Sequence, residues 1–178
     1  NIKEIAIFAN GCFWCTEATF RMHKGAFDRA GLEGGTIENP TYEQVCGGNT
    51  GHAEAIKIEY DPSILSYNDL LAVFFNTHDP TTRKRQGNDA CTQYRSAIFY
   101  TNPEQKEKAE ETIKKLDESK SYDKPVVTEI NPFMKFYTVE DYHKNYYENN
   151  KHNPYCQIVI APKVEEMQKR FARLLNNQ

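Results

Sequence analysis

The sequence predicts an α/β (α+β) fold, a two-layer, ferredoxin-like mixed β-sheet with flanking helices and long irregular loops. Short strand-like runs alternate with segments whose apolar residues recur at helical spacing, as in Ile56, Ile58 and Tyr60 followed by Leu70, Leu71 and Phe74. No internal repeat or low-complexity tract points to a solenoid or a disordered chain. At 178 residues and 39% hydrophobic content, the chain is long enough for one packed core and short for two, so residues 1–178 are expected to form a single domain.

The elements follow in order. Ile5 to Ala9 is a short apolar run ending at Asn10-Gly11, which reads as a buried strand, a turn and a helix start near Cys12. Gly31 to Gly51 is rich in glycine and contains Asn39-Pro40, so it reads as a long irregular loop after a short second strand. From Glu54 to Tyr60 apolar and charged residues alternate, giving a half-buried strand stopped by Asp61-Pro62, with Glu54 on the apolar face. Ser66 and Asp69 bracket a helix start. Leu70, Leu71, Val73, Phe74 and Phe75 supply its core stripe up to His78-Asp79-Pro80. An irregular segment, Thr81 to Gln93, follows.

Ser96 to Tyr100 reads as a strand, and Asn102-Pro103 caps a charged helix to about Ser119 with a thin stripe at Ala109, Ile113 and Leu116. Val126 to Ile130 reads as a strand, Val139 to Glu148 as a short polar helix and Gln157 to Ile160 as a strand. Lys163 to Leu175 closes the chain as a helix with Val164, Met167, Phe171 and Leu174 on one face.

Composition excludes some functions. A formal charge of -3 leaves no basic excess for phosphates, so neither nucleic acid nor an anionic membrane is an expected partner. No apolar run approaches the roughly 20 residues that span a bilayer. Asn1 to Asn10 lacks the basic region of a signal peptide. Five cysteines, an odd number spread over Cys12, Cys15, Cys46, Cys91 and Cys156, fit reactive thiols in a reducing compartment better than a disulfide scaffold. A cytoplasmic location is expected.

The strongest chemical signal is Gly11-Cys12-Phe13-Trp14-Cys15. Unpaired backbone N–H groups and the helix dipole at a helix start stabilise a thiolate, so Cys12 is the expected nucleophile rather than a small core residue. Glu54 is the second signal, because burial on a strand face raises a carboxyl pKa and keeps a proton available for general-acid catalysis. The alternative is a strand-end glutamate turned to solvent. Tyr42 and Tyr94 lie in or beside the two long loops, where each either donates a hydroxyl hydrogen bond to a substrate or simply packs. Asp89, in Gly87-Asn88-Asp89, reads by itself as a turn residue.

Together these stretches resemble a known family, the A-type peptide methionine sulfoxide reductases. The similarity is carried by Gly11-Cys12-Phe13-Trp14, residues 39–46 (Asn-Pro-Thr-Tyr-Glu-Gln-Val-Cys), residues 51–54 (Gly-His-Ala-Glu), residues 78–81 (His-Asp-Pro-Thr), residues 85–89 (Arg-Gln-Gly-Asn-Asp) and residues 92–96 (Thr-Gln-Tyr-Arg-Ser). The resemblance implies that Cys12 attacks the sulfur of a methionine S-sulfoxide, protein-bound or free, while Glu54 protonates its oxygen. Tyr42, Tyr94 and Asp89 complete the polar site, and Phe13 and Trp14 hold the substrate methyl group. It implies a sulfenic acid at Cys12, resolved by Cys156 of Asn153-Pro154-Tyr155-Cys156, and a disulfide re-reduced by thioredoxin. No cofactor and no metal are implied, and a monomer is expected.

The residues agree with that reading, since a sulfoxide presents an electrophilic sulfur, a polar oxygen and an apolar methyl, each needing a different wall. Three positions depart from the common family pattern: Cys15 and Cys91 stand where glycine is usual, and Leu32 where tyrosine is usual. Cys15, Cys46 and Cys91 therefore stay open as resolving partners, and Cys156 alternatively reads as a buried thiol opening an apolar strand. Two rivals remain beside the reductase: a dithiol–disulfide oxidoreductase working through Cys12 and Cys15 alone, and a zinc-stabilised binding module built on the cysteines.

Overall fold

A computed structural model describes residues 2–11, 13–20, 26–36, 38–47, 50–83, 85–86, 89–90, 94–138 and 146–174; for 13–15, 19, 26–30, 42, 85–86, 89–90 and 174 the backbone alone is described. Four strands form the centre of the sheet: β1 (Glu4–Asn10), β2 (Ala26–Glu33), β3 (Ala53–Tyr60) and a fourth over Ser96–Tyr100. Two short strands, β4 (Arg85–Gln86) and β5 (Asp89–Ala90), pair separately, which makes Ser96–Tyr100 β6. β7 (Glu129–Pro132) and β8 (Tyr137–Thr138) complete a six-stranded mixed sheet of order β7-β6-β1-β3-β2-β8.

The central order β6-β1-β3-β2, all antiparallel, is the ferredoxin-like arrangement that the alternation of strands and helices predicts. Helix α1 (Phe13–Phe20) connects β1 to β2 across the intervening β3, and after the short α2 (Tyr42–Cys46), α3 (Tyr67–Asn76) connects β3 to β6. α4 (Pro103–Glu118) leads from β6 to β7, which lies parallel beside it.

Strand alternation sorts side chains onto two faces. Phe8, Ile56, Ile58, Tyr60 and Ile98 face Phe20 of α1, Leu70, Leu71 and Phe74 of α3, and Ala109 of α4, in the main core. Phe8 is central there, stacked on Phe74 with ring centroids 4.9 Å apart and on Phe20 at 5.7 Å. The opposite face is lined by Ile7, Ala9, Ala53, Ala55, Ala97 and Phe99, with Phe136 packed against it. The segment carrying Phe136 comes so close that a Cβ at Gly31 would overlap its ring and stand 2.5 Å from the Tyr137 carbonyl oxygen, so glycine is required there. The buried Glu33 carboxylate oxygen Oε1 anchors the same segment by accepting the Met134 and Lys135 N–H groups at 3.0 and 3.2 Å.

Local signals explain the helix boundaries. Ser66 accepts from the Asp69 N–H at 3.0 Å while Asp69 Oδ2 accepts from the Ser66 N–H at 3.1 Å, a reciprocal cap that starts α3. Asn102 Oδ1 accepts from the Gln105 N–H at 2.9 Å and Pro103 occupies the first turn of α4, as the sequence predicts.

Several expectations are corrected. Gln157–Ile160 is not a strand: Cys156–Ile160 forms a π-helical turn, closed by the Ala161 N–H on the Cys156 carbonyl, and runs into α6 (Ala161–Arg170). A short run with three apolar residues, Ile158, Val159 and Ile160, suits a strand or a helix equally; here Asn153 caps the Tyr155 N–H at 2.9 Å and accepts through its carbonyl from Gln157, starting helical structure. The strand predicted over Val126–Ile130 begins later, at Glu129, because the Val126 N–H is taken by Asp117 Oδ1 and the Val127 N–H by the Pro80 carbonyl. Gly31 to Glu33 belong to β2, and the loop predicted over residues 31–51 contains α2, started by a reciprocal cap between Thr41 and Gln44. Of the helix predicted over Val139–Glu148, residues 139–145 lie outside the described residues, and α5 covers Tyr146–Asn149. Among the described residues no helix is long and apolar enough to cross a membrane.

Candidate active site

The site grows from one end of the sheet. β1 ends at Asn10, Gly11 turns the chain with a φ of 107°, a conformation that favours glycine, and α1 begins at Phe13. Cys12, between the last two, lies outside the described residues, as do the side chains of Phe13, Trp14 and Cys15. The backbone places Cys15 in the first turn of α1, and the helix begins one residue after Cys12 in the sequence, close to where the sequence predicts a helix start.

Glu54 lies on the face predicted for it. Phe8 and Ile56 are register partners; Asn10 and Glu54 each lie two residues further toward the same sheet end, and so on the same face. Ser96 is the register partner of Asn10. Ser96, Asn10 and Glu54 are 2%, 6% and 1% exposed, which excludes the solvent-facing reading of Glu54. Leu32 is the register partner of Glu54 and is itself buried, so the position where the family commonly has tyrosine here supplies an apolar neighbour beside the carboxyl.

The β2–β3 connection is pinned at its base. The Thr36 N–H donates to the Thr50 carbonyl at 3.1 Å and the Gly35 N–H to His52 Nδ1 at 3.1 Å. Tyr42 is the first residue of α2 within this connection; its side chain is outside the described residues. Arg95 ties β6 to this region, its Nη2 donating to the Gly51 carbonyl at 2.8 Å and its Nε to Glu129 Oε2 at 2.6 Å. Tyr94, immediately before it, is half-buried and two residues from Ser96. Asp89 pairs with Gln86 across the β4–β5 ladder, with its side chain outside the described residues. Cys91 is also outside them, and Cys46 ends α2, exposed.

Sequence reasoning missed a polar network at the same sheet end as Glu54, buried at Asn10, Thr16 and Ser96 and half-buried at Thr77, His78 and Thr128. Asn10 Nδ2 donates to Thr77 Oγ1 at 2.6 Å, and the Thr16 hydroxyl donates to Asn10 Oδ1. His78 Nδ1 lies 2.7 Å from the Phe74 carbonyl oxygen and Nε2 2.7 Å from Ser96 Oγ, which is 2.8 Å from Thr128 Oγ1. A carbonyl only accepts, so Nδ1 carries the proton and Nε2 accepts from Ser96. Burial pushes the His78 pKa down to about 4, consistent with that neutral tautomer. The pattern His-Asp-Pro-Thr carries the signal for His78, but nothing in the sequence assigns its partners.

A pH dependence follows. A histidine held below its ordinary 6.5 contributes stability that is complete above pH 6.5 and is lost as pH falls toward 4, because the unfolded chain binds the proton first. The expected loss is about 2–3 kcal/mol. Urea unfolding across that range is expected to show it, and His78→Gln to flatten this part of the profile.

Cys156 is fully buried in a cluster with Ile160, Val164, Tyr155 and Ala18. Ala18 belongs to α1, so the second cysteine packs against the helix that begins beside the first. The alternative reading of Cys156, a buried thiol opening an apolar strand, is right about the burial and wrong about the strand, which is a π-helical turn.

Cys15 in the first turn of α1, a buried carboxyl at the adjoining strand end and a second cysteine packed on the same helix are the parts that an oxidoreductase working through thiols requires. Comparison with known proteins agrees. The family model described as peptide methionine sulfoxide reductase matches residues 4–175. The peptide methionine sulfoxide reductase of Saccharolobus solfataricus is 52% identical over 169 residues, covering 94% of each chain. That of Picrophilus torridus is 48% identical over 178 residues, covering 99% of this chain and 100% of its own. Among solved structures, Mxr1 of Saccharomyces cerevisiae in its reduced form superposes with a TM-score of 0.80 at 29% identity, over 86% of this chain and 89% of that one. Methionine sulfoxide reductase A of Corynebacterium diphtheriae gives 0.76 at 34%, over 85% and 76%. Mxr1 has also been solved in complex with Trx2. The chain belongs to the peptide methionine sulfoxide reductase family.

Proposed function

We propose that this chain, as a single catalytic domain, reduces methionine S-sulfoxide in proteins and as the free amino acid, with Cys12 as nucleophile and Glu54 as proton donor. The burial of Glu54 at the strand end beside the Cys12 segment is the observation that carries the reading. Burial disfavours the charged form of a carboxyl, which keeps a proton at the place where a sulfoxide oxygen needs one.

The Cys12 thiolate attacks the sulfur while Glu54 protonates the oxygen. The hydroxyl then passes from the methionine sulfur to the Cys12 sulfur as the sulfur–oxygen bond and the newly formed sulfur–sulfur bond both break, releasing methionine and leaving a sulfenic acid. Cys156 then attacks the Cys12 sulfur, expelling water and forming a disulfide, so two thiols supply the two electrons that the sulfoxide consumes. A thioredoxin dithiol reduces the disulfide, a role supported by the Trx2 complex of the related Mxr1. Tyr42, Tyr94 and Asp89 hold the sulfoxide oxygen, and Phe13 and Trp14 enclose the methyl group. The working form is a cytoplasmic monomer.

The test is turnover of a blocked methionine S-sulfoxide with dithiothreitol, beside the R epimer. Turnover of the S epimer alone supports the reading; no turnover by folded, reduced protein removes it. Cys156→Ser separates the two halves of the cycle. One methionine per chain is expected to form at the wild-type rate, and thioredoxin-supported turnover to fall at least roughly a hundredfold. Undiminished thioredoxin-supported turnover would assign resolution to another cysteine.

A further inference from the structure

Asn10 sits at the junction of the elements that deliver Cys12. The hydrogen bond from Thr16 Oγ1 to Asn10 Oδ1 links the end of β1 to the fourth residue of α1 and closes over Gly11–Cys15, the segment containing the nucleophile. On the other side, Asn10 Nδ2 reaches Thr77 Oγ1 at 2.6 Å, at the C-terminal cap of α3.

The proton inventory fixes the direction of every bond. Thr77 gives its hydroxyl proton to the Phe74 carbonyl at 2.8 Å, so its oxygen has only lone pairs to offer and must meet a donor. The carboxamide therefore turns its NH2 to Thr77 and its oxygen to Thr16, a combination of one donor and one acceptor that a carboxylate cannot supply. Thr77 is followed by His78, bonded to Ser96, the register partner of Asn10. The ring of contacts thus ties β1, α1, α3 and β6 together at the start of α1. At the buried members, Asn10, Thr16 and Ser96, a broken bond strands a desolvated group, which makes the arrangement rigid.

We propose that Asn10 is a positioning residue for the chemistry at Cys12: its carboxamide, held between Thr16 and Thr77, fixes both flanks of Gly11–Cys15 and so the aim of the thiol. The inference rests on Cys12 being the nucleophile, as proposed above. With the clamp intact, the first turn of α1 presents its unpaired amides in one arrangement; loosening it weakens their stabilisation of the thiolate.

The test uses Asn10→Ala and Thr77→Val, with Thr77→Ser as the conservative variant that keeps the hydroxyl. Two quantities are read below the melting temperature: kcat and KM for a blocked methionine S-sulfoxide with dithiothreitol, and the pH dependence of iodoacetamide alkylation at Cys12, followed by peptide mass spectrometry. In Asn10→Ala and Thr77→Val, kcat is expected to fall about tenfold or more with KM nearly unchanged. The Cys12 alkylation midpoint is expected to rise by about half a pH unit, while Thr77→Ser keeps wild-type values. Wild-type kcat and midpoint in folded Thr77→Val would overturn the proposal, and that variant carries the test if Asn10→Ala fails to fold. A wild-type chain that does not turn over, or a Cys12→Ser variant that does, refutes the reading of Cys12; the alkylation midpoints still decide the clamp.

Discussion

Cys12→Ser is expected to lower kcat/KM for methionine S-sulfoxide by at least about 10⁴-fold while leaving the melting temperature close to that of the wild type. The substitution exchanges one atom, so packing is nearly conserved, but a serine hydroxyl does not ionise near neutral pH and the thiolate is the attacking group. Activity with dithiothreitol is the measurement to use, because it bypasses the resolving cysteine. Cys15, three residues further on in the first turn of α1, and Cys156, packed in its own cluster, are expected to leave this loss uncompensated.

Glu54→Gln is expected to cost about 10²–10⁴-fold in kcat, the usual range for removal of a general acid, with a smaller change in KM. Glutamine matches the side chain in size and keeps an oxygen and a hydrogen-bond donor at a position that is 1% exposed, so loss of activity in a folded variant reports the missing acidic proton. The dithiol–disulfide rival gives the opposite result, since exchange through Cys12 and Cys15 needs no acid at position 54. Reduction of a model disulfide by the same variant completes the comparison.

Much of the sheet was legible because its strands alternate: Ile56, Ile58 and Tyr60 fall on the core face that their spacing assigns. The ends of α3 and α4 were legible because Ser66, Asp69, Asn102 and Pro103 bond or shape the backbone locally. What failed depended on distant partners. Val126 and Val127 have strand-forming side chains, but their N–H groups are taken by Asp117 and Pro80. The run Gln157–Ile160 is mostly apolar and short, and its helical course is set by Asn153 and the helix that follows. The five-residue α2 escaped although Thr41-x-x-Gln44 has the spacing of a capping box, because the surrounding glycines outweighed it. At the site, Glu54 was readable from strand parity alone. Asn10 was not, since its partner Thr77 is separated from it by 67 positions.

Oxygen transfer to Cys12 is read out in a chain that retains Cys12 as its one cysteine. That variant is mixed with one equivalent of a methionine S-sulfoxide peptide, the methionine formed is quantified, and the protein is trapped with dimedone and mapped by mass spectrometry. One methionine per chain and one dimedone adduct, located on Cys12, are expected. Methionine formed without oxidation of Cys12, or no methionine from the folded, reduced variant, would contradict it.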